Sequence, residues 1–365
     1  MKVLVVGGAG YLGSVLVNEL LERGYAVRVF DRLFFGDGGL SDVRDRVDLI
    51  AGDVRQMDPS VLEGVDAVIN LAGLSNDPTA EYNPQANHQM NTVAAESLAR
   101  LCRERGIRRH ILASSCSIYD IGVGAPEKDI LLDEETPVAP KAAYSSSKYK
   151  AEKALLALRN EHFCPVLLRM GTLFGFSPRM RYDLVINTFV KDVLSHGHLT
   201  VHYGGEMWRP LVSVKDAARA YIVCLEAPEE KVSGQLFNIV YDNFRISEAA
   251  LRVRETMSAR NIPAEVRVDY SYRGVRTYRV SGRKILRALE FKPLISIEDA
   301  VREMVGGIAK RHFEDFDNPR YYNIRWMQLL EEADRIVKVT GHIFDLPATA
   351  DDKLVQLPTK RSKAT

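Results

Sequence analysis

The chain has 365 residues, which exceeds the usual ~100–200 residues of one globular domain. Its 49 Lys and Arg residues against 48 Asp and Glu residues give a net charge of +1, so no overall positive field attracts nucleic acid or an anionic membrane. No apolar stretch reaches the ~18 residues of a transmembrane helix, and the start, MKVLVVGGAG, lacks the features of a signal peptide. We therefore expect a cytoplasmic protein that binds neither nucleic acid nor membrane and meets anionic ligands with local charges.

Neither the cysteines nor the histidines indicate a metal site. The cysteines are Cys102, Cys116, Cys164 and Cys224. They are too widely spaced for a CxxC pair and are typical of free thiols in a reducing compartment. His196, His198 and His202 form an HxHxxxH pattern, but no Cys or Glu lies near it at ligand spacing. A solvated loop is the favoured interpretation of this pattern, and no metal is expected.

The first half of the chain alternates short β-rich runs with amphipathic helical segments. Two helical patterns, Leu12–Arg23 and Thr92–Arg105, end at Gly24 and Gly106, which is typical of helix C-caps. The alternation predicts an α/β fold with a Rossmann-type doubly wound parallel sheet. The predicted strands are Val3–Val6, Ala26–Phe30, Val47–Ile50, Ala67–Leu71, His110–Ala113 and Val166–Arg169.

The regular alternation ends near residue 173, which predicts a second, smaller unit. Within the later half, the runs LVSV and FNIV are predicted to return as strands to the large sheet. The predicted Rossmann domain comprises residues 1–172 plus about 210–242. A smaller, discontinuous substrate-binding α/β domain comprises about 173–209 plus 243–320. Residues from about 330 to 365 are a predicted C-terminal extension with a flexible end.

The segment GGAGYLG joins the first predicted strand to the first predicted helix. Gly7, Gly10 and Gly13 there permit a tight turn and a close approach of the backbone to a pyrophosphate. Asp31 ends the second strand, where a carboxylate binds both adenosine ribose hydroxyls and repels a 2′-phosphate. NAD is therefore favoured, with NADP left as an alternative by Arg32, since arginine binds phosphate. A structural turn and a solvated carboxylate explain each feature alone, but together they predict dinucleotide binding.

Two Tyr-x-x-x-Lys pairs lie close together, Tyr144 with Lys148 and Tyr149 with Lys153. One helical turn brings the ammonium near the phenol and lowers the phenol's pKa, which makes a general base for an alcohol. The pairs are offset by five residues, or about 140° around a helix, so they cannot serve one site. We select Tyr144, which enters the helix at its exposed first turn, and assign Tyr149 to packing. Ser115, at the end of a predicted strand, is expected to hold the substrate oxygen.

With these motifs in this order, the sequence resembles the extended short-chain dehydrogenase/reductase family over about residues 1–310, specifically its NAD-dependent nucleotide-sugar epimerases and dehydratases. Further similar stretches are AGDV, NLAG, SSCSIY, LRMGTLFG, WRPLVSVKDAARA and RTYRVSGRKILRALEFKP. The resemblance implies NAD as the cofactor. The residues that it implies for cofactor binding are Gly7, Gly10, Tyr11, Leu12, Gly13, Asp31, Arg32, Asp53, Val54, Leu71, Ala72, Gly73, Asn91, Ser114, Tyr144, Lys148 and Met170.

The resemblance also implies a nucleoside-diphosphate sugar as the substrate. It further implies a homodimer formed through the helices that contain Thr92–Arg105 and Tyr144–Leu158. Two arginines would bind the diphosphate, an asparagine would contact the diphosphate or the nucleotide, and a threonine would border the sugar and nicotinamide. The residues implied for substrate binding are Ser75, Thr172, Asn187, Arg209 and Arg276.

Two departures from the family pattern bear on the reaction. The family's 4,6-dehydratases carry an Asp-Glu pair where this chain has Cys116 and Ser117, which disfavours water elimination. Cys116 is itself a candidate for moving a proton at a sugar carbon, with a small buried thiol as the simpler interpretation.

These features predict a nucleotide-sugar epimerase that acts at C4 through a transient 4-keto intermediate, with Ser115, Tyr144 and Lys148 as its catalytic residues. The alternatives are a dehydrogenase, 4-ketoreductase, dehydratase or decarboxylase of the same family. An alternative of another class is a non-catalytic NAD-binding regulator.

Overall fold

The computed structural model describes residues 1–120, 130–271 and 277–341. Its strands are β1 (Lys2–Val6), β2 (Ala26–Asp31), β3 (Val47–Ala51), β4 (Ala67–Asn70), β5 (Arg109–Ser115), β6 (Leu131–Leu132), β7 (Cys164–Met170), β8 (Thr172–Phe174), β9 (His198–His202), β10 (Trp208–Ser213), β11 (Leu236–Ile239), β12 (Asp242–Arg245), β13 (Glu265–Asp269) and β14 (Arg279–Val280). Its α-helices are α1 (Tyr11–Glu22), α2 (Asp77–Tyr82), α3 (Pro84–His88), α4 (Ala94–Glu104), α5 (Ala143–Ala157), α6 (Val185–His196), α7 (Val214–Glu226), α8 (Glu229–Val232), α9 (Ile246–Ser258), α10 (Arg283–Leu289), α11 (Ile297–Arg311) and α12 (Asn323–Thr340).

Seven strands form one parallel sheet in the order β11-β7-β5-β4-β1-β2-β3. The chain builds outward from β1 to β3 and then returns to β4, so the winding direction reverses between β1 and β4. In open sheets of this kind, ligands bind beyond the carboxyl ends of the strands at this reversal. The predicted doubly wound parallel sheet is confirmed.

Alternate residues of β1 point to opposite faces of the sheet, and helices cover both faces. Val3 and Val5 pack in one core with α1 and α7, while Leu4 and Val6 pack in a second core with α4 and α5. Because both faces are buried, the strand is a continuous apolar run rather than an alternating one. The helices on the two faces then hold the strand ends in fixed positions around the site.

Strand β10 differs from the prediction made for the LVSV run. It pairs with β8 in parallel and with β12 in antiparallel orientation, in a separate three-stranded sheet. The edge of the large sheet beside β7 is taken by β11, which contains the FNIV run. A close contact at Gly171 brings β8 against β10, since a Cβ there would lie 2.9 Å from the Pro210 carbonyl oxygen. The prediction for LVSV was wrong and that for FNIV is confirmed.

The C-terminal part of the chain contains more structure than its polar composition indicates. Helix α12 spans residues 323–340, so the predicted extension from about 330 begins inside a helix. Its Trp326 donates an indole hydrogen bond to the Phe34 carbonyl in the loop after β2. The predicted flexible end, like the rest of 342–365, lies outside the described residues, and the predicted division into domains stays a prediction. Among the described helices, none is both long and apolar enough to cross a membrane.

Candidate active site

A cavity of about 440 Å³ lies along the carboxyl ends of the central strands. Each of five strands contributes lining residues at or just after its end. These residues include Gly7 after β1, Asp31 on β2, Leu71 after β4, Ser115 on β5 and Met170 on β7. The cavity therefore occupies the position that the sheet topology favours for a ligand.

The glycine loop after β1 is shaped for the close approach of a phosphate. Gly7 has a φ of +82°, and a Cβ there would lie 2.9 Å from the Ala72 backbone nitrogen. A Cβ at Gly13 would lie only 2.3 Å from the Gly7 carbonyl oxygen. Helix α1 begins directly after the loop, so its free N–H groups point toward the cavity. These residues fit the pyrophosphate of a dinucleotide.

Asp31 and its neighbour Arg32 have different electrostatic surroundings. The Asp31 carboxylate accepts hydrogen bonds from the backbone nitrogens of Ala9 (3.0 Å) and Leu33 (2.8 Å), while burial raises its pKa. Arg32 instead lies 3.2 Å from the Asp53 carboxylate, which Arg55 also binds. The charge of Arg32 is thus already compensated, so the site favours an unphosphorylated ribose.

Ser115 and Tyr144 lie together at one end of the cavity, and Asp31 lies toward the other end. Tyr144 is the second residue of α5, and the Ser115 side chain lies close enough to its hydroxyl to lower the pKa of the phenol. Burial and the Asp77 charge raise the pKa of Tyr144 to about 12, while the Ser115 side chain and the Arg181 charge lower it. The phenol is consequently neutral in the unliganded site at pH 7.

Lys148 lies one helical turn after Tyr144 and lines the same cavity. Its ammonium donates to the Ala113 carbonyl at 3.0 Å and lies 6.0 Å from the centre of the Tyr144 ring. Burial lowers its pKa to about 8. The charge that lowers the pKa of Tyr144 in this structure is on Arg181, whose part in the site the YxxxK spacing does not indicate.

The second tyrosine–lysine pair on α5 lies away from the cavity. The Lys153 ammonium lies 4.9 Å from the centre of the Tyr149 ring. Tyr149 packs against a small core that includes Ile118 and Val280. Its surroundings are those of a packing residue.

Cys116 does not line the cavity, and its proposed part in proton transfer stays a prediction that its surroundings do not favour. It begins the short 3₁₀ helix Cys116–Tyr119, which turns its side chain away from the cavity that Ser115 lines. The thiol is 1% exposed and donates to the Arg169 carbonyl at 3.2 Å. Burial raises its pKa well above the ordinary range. The simpler interpretation, a small buried thiol, agrees with these surroundings.

The predicted substrate residues divide into three groups. Ser75, Thr172 and Arg209 line the cavity. Asn187 does not, because its amide is fully buried and binds the Gly175 nitrogen, the Arg181 carbonyl and the Tyr11 hydroxyl. Asn187 supports the cavity wall in this structure, and its contact with the substrate stays a prediction. Arg276 lies outside the described residues.

Asn91 supports the cofactor side of the cavity without lining it. It lies in a π-helical turn, Gln89–Val93, within a continuous helical segment that begins at α3 rather than at Thr92. Its side chain accepts from the Leu74 nitrogen (2.8 Å) and donates to the Leu74 carbonyl (2.9 Å). A Cβ at Gly73 would lie 2.2 Å from its side-chain oxygen. Asn91 therefore shapes the loop after β4, whereas direct cofactor contact had been predicted.

The remaining cofactor residues named from the sequence all line the cavity. They are Gly7, Gly10, Tyr11, Leu12, Gly13, Asp31, Arg32, Asp53, Val54, Leu71, Ala72, Gly73, Ser114, Tyr144, Lys148 and Met170. Most of them lie in short segments at strand ends, where the glycines and the acidic residue together indicate a cofactor site.

Arg179, Arg181, Asp183 and Asn323 are among the lining residues that were not selected from the sequence. Arg181 is paired through two nitrogens with Asp183, at 2.7 and 3.0 Å, and also donates to Ser75. Arg179 and Asn323 bind each other across the cavity wall. The closely spaced charges in SPRMRYD were an available signal for the first three residues. Asn323 had none, because its contact depends on how α12 packs.

A buried ion pair supports the active-site end of α5. Glu152 receives two hydrogen bonds from Arg169, at 2.9 and 2.7 Å, and one from Ser114 at 2.5 Å. Arg169 also donates to the Tyr119 hydroxyl at 2.8 Å. This network links β5, β7 and α5 directly beneath Ser115 and Lys148. In the part of the chain that the structure describes, no cluster of three His, Cys, Asp or Glu side chains could hold a metal ion.

Residues 3–240 match the NAD dependent epimerase/dehydratase family. The match covers more than half of the chain, so the protein belongs to this family, whose cofactor is NAD, and the resemblance seen in the motifs is confirmed. It is 30% identical to an uncharacterized UDP-glucose epimerase, YtcB, of Bacillus subtilis over 66% of this chain and 76% of that protein. It is 28% identical to UDP-glucuronic acid decarboxylase 1 of Xenopus tropicalis over 62% of this chain. That match spans about half, 54%, of the decarboxylase.

Solved structures share the fold at lower identity. The UDP-glucose 4-epimerase of Thermotoga maritima, solved with UDP-glucose, has a TM-score of 0.74 and 22% identity. The UDP-glucuronic acid 4-epimerase of Bacillus cereus, solved with UDP-glucuronic acid and NAD, has a TM-score of 0.73 and 23% identity. Each match covers 85% of this chain and 99% of the other.

Proposed function

We propose that this protein is an NAD-dependent nucleotide-sugar epimerase that inverts C4 of a hexose. The observation that carries the proposal is the placement of Ser115, Tyr144 and Lys148 in one cavity with the glycine loop and Asp31. A general base, an oxygen-binding hydroxyl and a dinucleotide cradle are the parts that reversible oxidation of an alcohol requires.

In the proposed reaction, Tyr144 takes the proton of the C4 hydroxyl while Ser115 donates a hydrogen bond to the same oxygen. NAD, held by the glycine loop and Asp31, would supply the acceptor and donor of the C4 hydride. The Lys148 ammonium and the Arg181 guanidinium stabilise the Tyr144 phenolate. After the ketone has turned over in the cavity, Tyr144 gives its proton back to the oxygen. Hydride delivery to the opposite face yields the epimer, with no net change in the redox state.

We propose a nucleoside diphosphate sugar as the substrate, with uridine as the base, since the named relatives are described as acting on UDP sugars. Arg209 would bind the diphosphate, and Ser75 and Thr172 would border the sugar. Arg209 lies in the cavity wall, with its guanidinium 5.8 Å from the centre of the Tyr278 ring. A contact of Arg276 with the diphosphate stays a prediction.

The proposed function is tested by incubating the protein with NAD⁺ and UDP-, dTDP-, GDP- or CDP-hexoses in D₂O. Proton NMR identifies the sugar products, and absorbance follows NADH. We expect a C4 epimer without accumulated NADH and without deuterium on carbon, because the hydride returns directly. Steady NADH formation would indicate a dehydrogenase, and carbon dioxide released from a uronate substrate would indicate a decarboxylase. The absence of turnover on every sugar would favour a non-catalytic NAD-binding regulator.

Replacing Asp31 with alanine is expected to weaken NAD⁺ binding by about 10–100-fold, because hydrogen bonds to a charged group contribute about 1.5–3 kcal/mol. NADP⁺ affinity should fall less or rise, since a 2′-phosphate no longer meets a carboxylate. Fluorescence titration of both cofactors measures the ratio. Asp45→Ala, at an exposed acidic residue, is the matched control. An unchanged ratio would contradict the assignment of Asp31 to the ribose.

We also propose a cytoplasmic homodimer. The cytoplasmic assignment is supported by four free thiols, as expected in a reducing compartment. The dimer would form through the outer faces of α4 and α5, beside which Val93 is 39% exposed. Light scattering after size exclusion is expected to give twice the chain mass, and Val93→Glu should shift the protein toward the monomer.

A further inference from the structure

Arg179 is a buried cation in the cavity wall with no ion pair at contact distance among the described residues. It is 7% exposed, and the Asp183 and Asp31 charges act on it from beyond ion-pair distance. Its Nη2 donates to the Asn323 side-chain oxygen at 2.8 Å, and its guanidinium lies 3.7 Å from the centre of the Phe35 ring. Its Nε has no hydrogen-bond partner there. A buried charge with an unused donor is costly unless a ligand compensates it.

The position of Arg179 favours the cofactor end of the cavity over the sugar end. A Cβ at Gly39 would lie 2.9 Å from the Arg179 Cβ and 3.2 Å from the Ala9 carbonyl oxygen, so the arginine lies beside the glycine loop. The Arg179 charge also lowers the pKa of Asp31. The neighbouring Arg181 differs, because it is paired with Asp183 and its charge acts on Tyr144.

We infer that Arg179 binds the pyrophosphate of the dinucleotide and that Asn323 positions it for this contact. The segment GGAGYLG carries no cation and offers the pyrophosphate only backbone N–H groups. A guanidinium with a free donor supplies the missing charge-assisted hydrogen bond. The inference rests on the NAD cofactor of the proposed function, but it does not depend on which sugar is converted.

Asn323 connects this contact to the C-terminal helix. It is the first residue of α12, and its side chain also donates to Ser75 at 2.8 Å. Its backbone nitrogen donates to Asp183 at 3.1 Å. Three residues later, Trp326 holds the carbonyl of Phe34, next to the ring on which Arg179 stacks. Helix α12 therefore contributes Asn323 on one side of the Arg179 guanidinium and, through Trp326, supports the loop that carries Phe35 on the other side. This helix lies after residues 3–240, the segment that matches the family.

The test compares Arg179→Met with the wild-type protein, both freed of nucleotide, by calorimetric titration with ADP-ribose, UDP and adenosine. ADP-ribose affinity is expected to fall by about 10–100-fold, the range for one charge-assisted hydrogen bond with its ion pair, while adenosine affinity changes little. The melting temperature of the nucleotide-free variant should equal or exceed that of the wild type, because an uncompensated buried charge has been removed. The rise in melting temperature that ADP-ribose produces should shrink. Asn323→Ala should show a smaller effect of the same sign, and exposed Arg335→Gln should show none.

Two results would overturn the inference. Unchanged ADP-ribose affinity together with a lower melting temperature would show that Arg179 is only a structural residue. A loss of UDP affinity with ADP-ribose binding intact would assign it to the sugar nucleotide. The proposed function fails separately, since absent epimerase activity combined with the expected loss of ADP-ribose affinity in Arg179→Met would leave the assignment of Arg179 supported.

Discussion

Replacing Tyr144 with phenylalanine is expected to lower kcat by about 10²–10⁴-fold, the usual contribution of a positioned general acid–base group. The substitution removes only the hydroxyl beside Ser115, so the ring still fills its place at the start of α5. Epimer formation measured by proton NMR gives kcat, and calorimetry should show NAD⁺ affinity within a few-fold of wild type. Tyr149→Phe is the matched control, because that ring packs outside the cavity.

The pH dependence supplies a second readout for Tyr144. Burial holds the pKa of its phenol at about 12 in the unliganded protein, so the fraction present as phenolate increases as the pH rises. The value of kcat/KM for the wild type is therefore expected to rise with pH through the neutral range. The residual rate of Tyr144→Phe should lack this rise. If Tyr144→Phe kept both the wild-type rate and its pH dependence, the assignment of Tyr144 as the general base would be contradicted.

The strands of the large sheet could be predicted from the sequence because their signals are local. A run such as Val3–Val6 is apolar throughout since α1 and α7 cover one face and α4 and α5 the other. The glycine loop and Asp31 are similarly informative, because each directly follows or ends a strand in the sheet.

The features that could not be predicted from the sequence depend on contacts between distant segments. Strand β10 has the composition of a buried strand, but its partners, β8 and β12, are known only from the fold. Cys116 follows Ser115 directly, yet a 3₁₀ turn places only one of the two in the cavity. Arg179 and Asn323 are separated by 144 residues, and no local pattern relates them. Residues that line a site from different elements are found only when those elements have been placed.

Within the described ranges, the ion pair between Glu152 and Arg169 is the most deeply buried one. Glu152 is 1% exposed and Arg169 is 4% exposed, so both charged groups are almost fully removed from water. Replacing Glu152 with alanine is expected to lower the free energy of unfolding by about 3–5 kcal/mol, because the guanidinium is left buried without its partner. Urea unfolding of the nucleotide-free protein measures this loss. Glu161→Ala, at a largely exposed side chain, should change stability by less than about 0.5 kcal/mol.

A double variant separates the charge of Glu152 from its packing. Glu152→Gln combined with Arg169→Met removes both charges, so it should recover much of the stability lost by Glu152→Ala. Equal destabilisation of the single and double variants would contradict the assigned role of the ion pair.

Activity should not recover with stability in the double variant. Glu152 lies one helical turn after Lys148, and its charge raises the Lys148 pKa against the lowering by burial. Without Glu152, the pKa of Lys148 falls further below its present value of about 8, so less of the ammonium remains at pH 7.5 to stabilise the Tyr144 phenolate. A stable but slow double variant, with most of its rate loss at higher pH, would indicate that the pair sets the charge of the catalytic lysine. A double variant with both stability and rate restored would show that Glu152 contributes to folding and not to the charge of Lys148.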